Sequence, residues 1–190
     1  MKIKIPLLSF ILLVFFISCK ETKNEASYND TKATTTVHKG QAAVVDKDSE
    51  ANALQVAKSL DDFKTLVVAV KAAGVEDALV NAGPLTVFAP INTAFDKLPE
   101  GTVETLLKPE NKSQLAFVLK NHVAPANYPI KTLEKNVRKN RKLYMASGKY
   151  LDVTKQGNDL YVGNTKILKS VKVSNGWVHV IGDVLVPKDN

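Results

Sequence analysis

The sequence predicts one α+β domain over residues 51–190, and three observations predict it. Up to about residue 121, apolar residues recur at three- and four-residue spacing, the mark of amphipathic helices. After Lys131 the pattern changes to short β-type runs separated by Gly and Asn. No stretch repeats at a spacing of 20–50 residues, so the domain is one module and not an array. Helices followed by strands give the α+β class. The segment is long enough to bury a core of its own.

Residues 51–73 are helical in pattern, with Leu54, Ala57, Leu60, Phe63, Leu66, Val67, Val70 and Ala73 on one stripe. Asp61-Asp62 marks a break or a fresh N-terminus within that stretch. Gly74 is placed to cap its end, where a left-handed residue is favoured. A short helix is expected over 75–80, closed by Asn81-Ala82-Gly83-Pro84. Residues 85–89 form a compact β-type run ended by Pro90, which lacks an amide donor. Asn92 is read as the N-cap of a helix over 93–98, with Phe95 pointing inward. Pro99-Glu100-Gly101-Thr102 is a turn and cap, 103–107 one more helical turn, and Pro109 a breaker. Residues 112–121 make a further helix with Leu115, Val118 and Leu119 on one face.

The β-type runs are 143–145, 151–154, 160–162, 166–168, 171–173 and 177–186. Asn175-Gly176 is a strong signal for a tight hairpin. Trp177, His179 and Ile181 share one face of the last run, and Val178 and Val180 the other. Both faces are partly apolar, so this strand is expected at the centre of a sheet.

Ahead of the domain lies a segment of another character. Lys2 and Lys4 precede an almost wholly apolar run over 5–17, which ends in Phe16-Ile17-Ser18-Cys19. This is the layout of an export signal over 1–18. The apolar run is shorter than the ~20 residues that span a bilayer. The end of the run resembles a bacterial lipobox, with Ser18 and Ile17 at their usual positions and Phe16 in place of Leu or Val. That resemblance makes Cys19 the lipid-bearing first residue of the mature chain, anchored in a membrane by its acyl chains. Cys19 is the only cysteine, so no intramolecular disulfide is possible. Residues 19–50 read as a charged, Thr-rich tether too poor in apolar groups to fold. The absence of Asp after Cys19 points to the outer membrane, on its periplasmic face or at the cell surface. The net charge of +7 divides unevenly: the tether carries −1 and the domain +6.

Two stretches carry a resemblance. Leu85-Thr86-Val87-Phe88-Ala89-Pro90-Ile91-Asn92-Thr93-Ala94-Phe95 resembles the first signature of the fasciclin domain family. Asn175-Gly176-Trp177-Val178-His179-Val180-Ile181-Gly182-Asp183-Val184-Leu185-Val186-Pro187 resembles the second, and Leu119-Lys120-Asn121-His122-Val123 falls where the family has its central histidine segment. The resemblance covers roughly 51–188. It implies a β-sandwich-like wedge packed against several helices. It also implies a secreted or anchored protein that acts in adhesion, binding polysaccharide or matrix and cell-surface proteins. Phe88, Pro90, Asn92, Phe95, His122, Asn175, Gly176, His179 and Pro187 are the signature positions, read as architectural. Ile91 stands where the family often has Thr or Ser, and Asn121 where it commonly has Tyr. Animal members use a tyrosine–histidine pair in integrin binding; only His122 is present here, so that activity does not carry over.

No catalytic array is visible: His38, His122 and His179 lie in no metalloprotease-type motif, and no nucleophile elbow, Walker loop or dinucleotide fingerprint occurs. No cofactor is expected, and nothing in the spacing asks for a metal or haem. Nucleic acid is excluded by export and by the lack of a base-reading module. The segment 131–142 holds six basic residues against Glu134. Lys135, Arg138, Lys139, Arg141, Lys142 and Tyr144 are the candidate binding residues, and Tyr150 follows closely. Such a local field would attract anionic polysaccharide, lipid headgroups or an acidic protein, or it is a solvated surface. Trp177 becomes a site candidate if its ring is exposed. The expectation is a non-enzymatic adhesion or binding module, or a periplasmic envelope-organising partner. An enzyme or a haem- or metal-binding protein is the outside alternative.

Overall fold

A computed structural model describes residues 50–80 and 83–187 of the chain. The expected export signal over 1–18, the expected tether with Cys19 up to residue 49, Asn81 and Ala82, and residues 188–190 lie outside the described residues.

The helical half forms as the spacing predicts. Helix α1, Ala53–Ser59, opens on a capping box in which Asn52 and Gln55 satisfy each other's backbone amides. A 3₁₀ turn at Asp61–Phe63 separates it from α2, Lys64–Ala73, which ends on left-handed Gly74. Helix α3, Glu76–Val80, precedes strand β1, Leu85–Pro90. Then come α4, Asn92–Phe95, α5, Thr102–Leu107, and α6, Lys112–Lys120. Strand β2 is Val123–Ala124, and the basic segment begins as helix α7, Ile130–Arg138. The remaining strands are β3 (Leu143–Tyr144), β4 (Tyr150–Leu151), β5 (Val153–Gln156), β6 (Asp159–Val162), β7 (Thr165–Val173) and β8 (Gly176–Ile181).

Six strands make one mixed sheet in the order β2-β1-β8-β7-β6-β5, and β3 and β4 pair separately. Strand β8 is therefore internal, as its two-faced apolar pattern requires. It runs parallel to β1, with Phe88 beside His179 and Val87 beside Val178, and antiparallel to β7. Alternation along β1 divides the interior. Leu85, Val87 and Ala89 join Val178 and the apolar stripes of α1, α2 and α6 in one core. Phe88 and Ile181 face the other way, into a second core with Leu133 of α7, Leu143, Met145 and Val162. Each large side chain buried this way stabilises the fold by about 1.5–3 kcal/mol.

Five local expectations need correction. Asn92 does not cap its own helix; Ile91 holds that position. Its Oδ1 accepts instead from the Thr65 amide, 3.0 Å away, in the first turn of α2, and its Nδ2 donates to the Asp61 carbonyl. The run 151–154 is broken at Asp152: Leu151 pairs with Leu143, whereas Val153 pairs with Val162 in the large sheet. The runs 166–168 and 171–173 are one strand, whose alternation is interrupted because Leu168 is the extra residue of a bulge opposite β8. The tight turn between β7 and β8 is Ser174-Asn175, with Gly176 already paired to Val173. Finally, the ladder ends at Ile181, and Leu185 beyond it is held by side chains rather than by strand pairing.

Candidate functional site

The signature residues build a frame in which nearly every polar atom is answered. His122 is buried just after α6. Its Nδ1 lies 2.9 Å from the Val118 carbonyl, which only accepts, so Nδ1 carries the proton. Its Nε2 therefore accepts from the Leu185 amide at 2.9 Å. Burial pushes its pKa down to about 4, although the Val118 bond opposes this, so the ring is neutral. Asn121 completes the clamp by donating to the Leu185 carbonyl at 2.8 Å, while the Ser147 hydroxyl donates to its Oδ1 at 2.8 Å. Both backbone groups of Leu185 are thus bonded to side chains 63 and 64 residues away, and they need no strand partner.

His179 is the second fixed imidazole. Nε2 donates to the Tyr128 carbonyl at 2.7 Å, and Nδ1 accepts from the Ser170 hydroxyl at 2.7 Å. The ring stacks against Phe88, centroid to centroid 5.4 Å, and its centroid lies 6.3 Å from that of the nearly parallel Trp177 ring. Burial lowers its pKa as well. Each of these histidines uses both ring nitrogens inside the domain, which leaves no imidazole lone pair for a metal or a substrate. Trp177 is half-buried and lines a depression of mixed character with Asn52, Val80, Asn127 and Lys172.

The rest of the frame is equally occupied. Asn175 accepts from the Ala53 amide and donates to the Leu79 carbonyl, tying α1 and α3 to the β7–β8 turn. Gly176, at φ +145°, has no room for a side chain: a Cβ there would meet the Leu85 carbonyl oxygen at 1.8 Å. Pro90 is fully buried, Ala94 is buried at the corner after it, and half-buried Phe95 packs against the first core. Pro187, half-buried, is the last described residue. Asp183 accepts from Lys97 at 2.7 Å and from Thr165 at 2.9 Å, and the Lys97 bond holds its carboxyl below the usual range.

The basic segment lies at the surface. Lys135 and Arg138 occupy the last turn of α7, where cations complement the helix dipole. Lys139, Arg141, Lys142 and Tyr144 come directly after it, and all six residues are exposed. A left-handed Asn140, φ 49°, turns the chain from helix into β3. Lys142 pairs with Asp152 at 3.0 Å, and Glu134, the one acid of the segment, pairs with Lys155 at 3.1 Å. Lys135, Arg138, Lys139 and Arg141 form no ion pair among the described residues. A few residues further along the chain, Tyr144 and Tyr150 face each other across the β3–β4 pair. Their rings are 5.3 Å apart and tilted by 56°, and the residues are 48% and 62% exposed. Among the described residues, this stretch of chain thus combines unpaired cations with an open aromatic pair.

A different concavity opens among α1, α2, α3 and β1. It has a volume of about 350 Å³ and an almost wholly apolar wall, which includes Leu54, Ala57, Leu66, Val70 and Val87.

Against known families, the fasciclin domain model matches residues 61–187. The chain belongs to the fasciclin domain family. Protein sll1483 of Synechocystis sp. is 37% identical over 187 residues, covering 98% of this chain and 99% of that protein. Immunogenic protein MPB70 of Mycobacterium bovis is 38% identical over 109 residues, covering 57% of this chain and 52% of that one. In the solved structure of a FAS1 domain pair from the insect cell adhesion molecule Fasciclin I, the likeness is one of fold. The TM-score is 0.51 at 20% identity, covering 65% of this chain and 45% of that chain.

Within this fasciclin domain, the structure adds two features that the sequence pattern does not assign. Asn121, which stands where the family commonly has Tyr, is a fully buried clamp. Tyr150 becomes Tyr144's partner through the turn at Gly148. Alternation of Leu143-Tyr144-Met145 against Lys149-Tyr150-Leu151 around that glycine is the signal that points to this pair.

Proposed function

We propose that this fasciclin domain is a non-enzymatic adhesion module that binds anionic polysaccharide through the end of α7 and the β3–β4 tyrosines. The observation that carries this reading is the contact of Tyr144 with Tyr150 close along the chain to four unpaired cations. Neighbouring like charges repel one another, and a polyanion relieves that repulsion. The aromatic faces offer flat apolar platforms to sugar rings, which gives contact beyond charge alone. The family supports an adhesive role, as does the likeness in fold to a cell adhesion molecule. The two imidazoles are committed to the frame, and no group of three metal-ligating side chains exists among the described residues. The reading places the domain at the outer membrane, held by a lipid on Cys19 and extended from it by the tether.

The test is retention of the chain bearing Cys19→Ser on a polyuronate or sulfated-glycan column across a salt gradient. Arg138→Gln, Lys139→Gln and Arg141→Gln together should elute at lower salt. The salt slope of binding should fall by roughly one for each cation engaged. Tyr144→Ala with Tyr150→Ala should weaken binding without changing that slope. Unchanged retention of both variants rejects this face as the binding site.

A further inference from the structure

We infer that the apolar cleft among α1, α2, α3 and β1 binds a long-chain fatty acid, chain inward and carboxylate at Lys120. Protein interiors normally leave few voids larger than a water molecule. Here about 350 Å³ is open beside the helical core. An apolar cavity of about 150 Å³ already accepts benzene, so this one has room for a much longer hydrocarbon. The space exists because small residues stand where helix meets sheet: Ala53 and Ala57 on α1, Ala78 on α3 and Ala89 on β1 all border it. A larger side chain at any of them would fill it.

The wall also says which end of a ligand goes where. Among the described residues of the wall, only two are ionisable, His122 and Lys120. His122 has both ring nitrogens bonded within the domain. That leaves the Lys120 ammonium, on the last turn of α6, as the charged group free to meet a ligand. Lys120 is exposed and forms no ion pair among the described residues. The other exposed members of the described wall, Ala78, Gly83, Pro84, Pro125 and Ala146, carry no charge. A deep apolar wall with one cation at its mouth is complementary to a linear chain ending in a carboxylate. It opposes a cationic amphiphile and gives nothing to a sugar. This site is separate from the α7 surface, and the two assignments stand or fall independently.

The experiment titrates saturated fatty acids of eight, ten and twelve carbons into the full chain bearing Cys19→Ser, below their micelle concentrations, by calorimetry. Burial of a methylene tightens binding about fourfold, so each two-carbon step should gain roughly tenfold or more until the cleft is full. Ala57→Phe, at a half-exposed helix position, should abolish binding while leaving the circular dichroism spectrum and the melting temperature intact. Lys120→Met should weaken dodecanoate and remove the preference for dodecanoate over dodecyltrimethylammonium. Absence of dodecanoate binding to the parent chain overturns the proposal, as does binding that survives in folded Ala57→Phe. Equal affinity for the anionic and cationic dodecyl probes in the parent chain overturns the role of Lys120. So does occupation of the cleft by the chain's own residues 20–49, detected as nuclear Overhauser contacts to Leu54 and Val70.

Discussion

Acid should loosen this domain through His122, by an amount set by its environment. The ring is buried, neutral and bonded at both nitrogens, with a pKa near 4 against an ordinary 6.5. Unfolded, it would titrate near the ordinary value. Between these two values the unfolded chain binds the proton and the native chain does not, so stability falls as pH falls. His122's contribution is complete above about pH 6.5 and is lost progressively down to about pH 4. At about 1.36 kcal/mol per unit, moving from pH 7 to pH 5 costs about 2 kcal/mol. His179 is displaced in the same direction and adds to the loss. For a domain whose total stability is of order 5–15 kcal/mol, that is a large share. Urea unfolding at a series of pH values, extrapolated linearly, measures it. His122→Gln supplies the control. It cannot protonate, and it reproduces at most part of the clamp, so it should be less stable at neutral pH but respond less to acid. If wild type and His122→Gln lose equal stability between pH 7 and pH 5, burial of this imidazole is not the source of the effect.

Other substitutions probe the same frame. Gly176→Ala should prevent folding or lower the melting temperature drastically, because the added carbon falls on the Leu85 carbonyl; a near-native melt would refute the close approach. Asn121→Ala leaves the Leu185 carbonyl without its donor and should cost about 1–3 kcal/mol in chemical unfolding, with Ser147→Ala milder. Asn92→Ala removes a cap on α2 from outside that helix and should cost about 0.5–2 kcal/mol, with faster amide exchange in the first turn of α2. On intact cells, added protease should remove the domain if it is displayed at the surface. Cleavage only after outer-membrane permeabilisation would place it in the periplasm.

Features that depend on local pattern are legible in the sequence. The break at Asp61-Asp62, the Gly74 cap and the internal position of β8 all arise from periodicity and turn chemistry within a few residues. Local pattern misleads at positions decided by distant partners. Asn92 looks like a cap because a helix begins beside it, yet it caps the helix that begins 28 residues earlier. Residues 184–186 look like a strand, but the groups that satisfy Leu185 come from the end of α6. Asp152 reads as the middle of a strand because nothing local shows that Leu151 and Val153 pair with different sheets. The basic run is legible as charge. Which cations are neutralised is not, since Asp152 and Lys155 reach it from elements outside the run. The apolar cleft leaves no mark at all, because an alanine facing a void and an alanine facing a well-packed neighbour are the same letter.

Whether the α7 surface is the binding face can be decided by mapping where an anionic polysaccharide touches the domain. Titrating an oligouronate into the isotopically labelled Cys19→Ser chain should shift amides of residues 135–144 and 149–151. Residues lining the apolar cleft should stay still, and the shifts should vanish when Arg138, Lys139 and Arg141 are neutralised. Shifts centred on the Trp177 depression, or spread over the surface without saturation, would contradict the claim that α7 and the β3–β4 tyrosines form the binding surface.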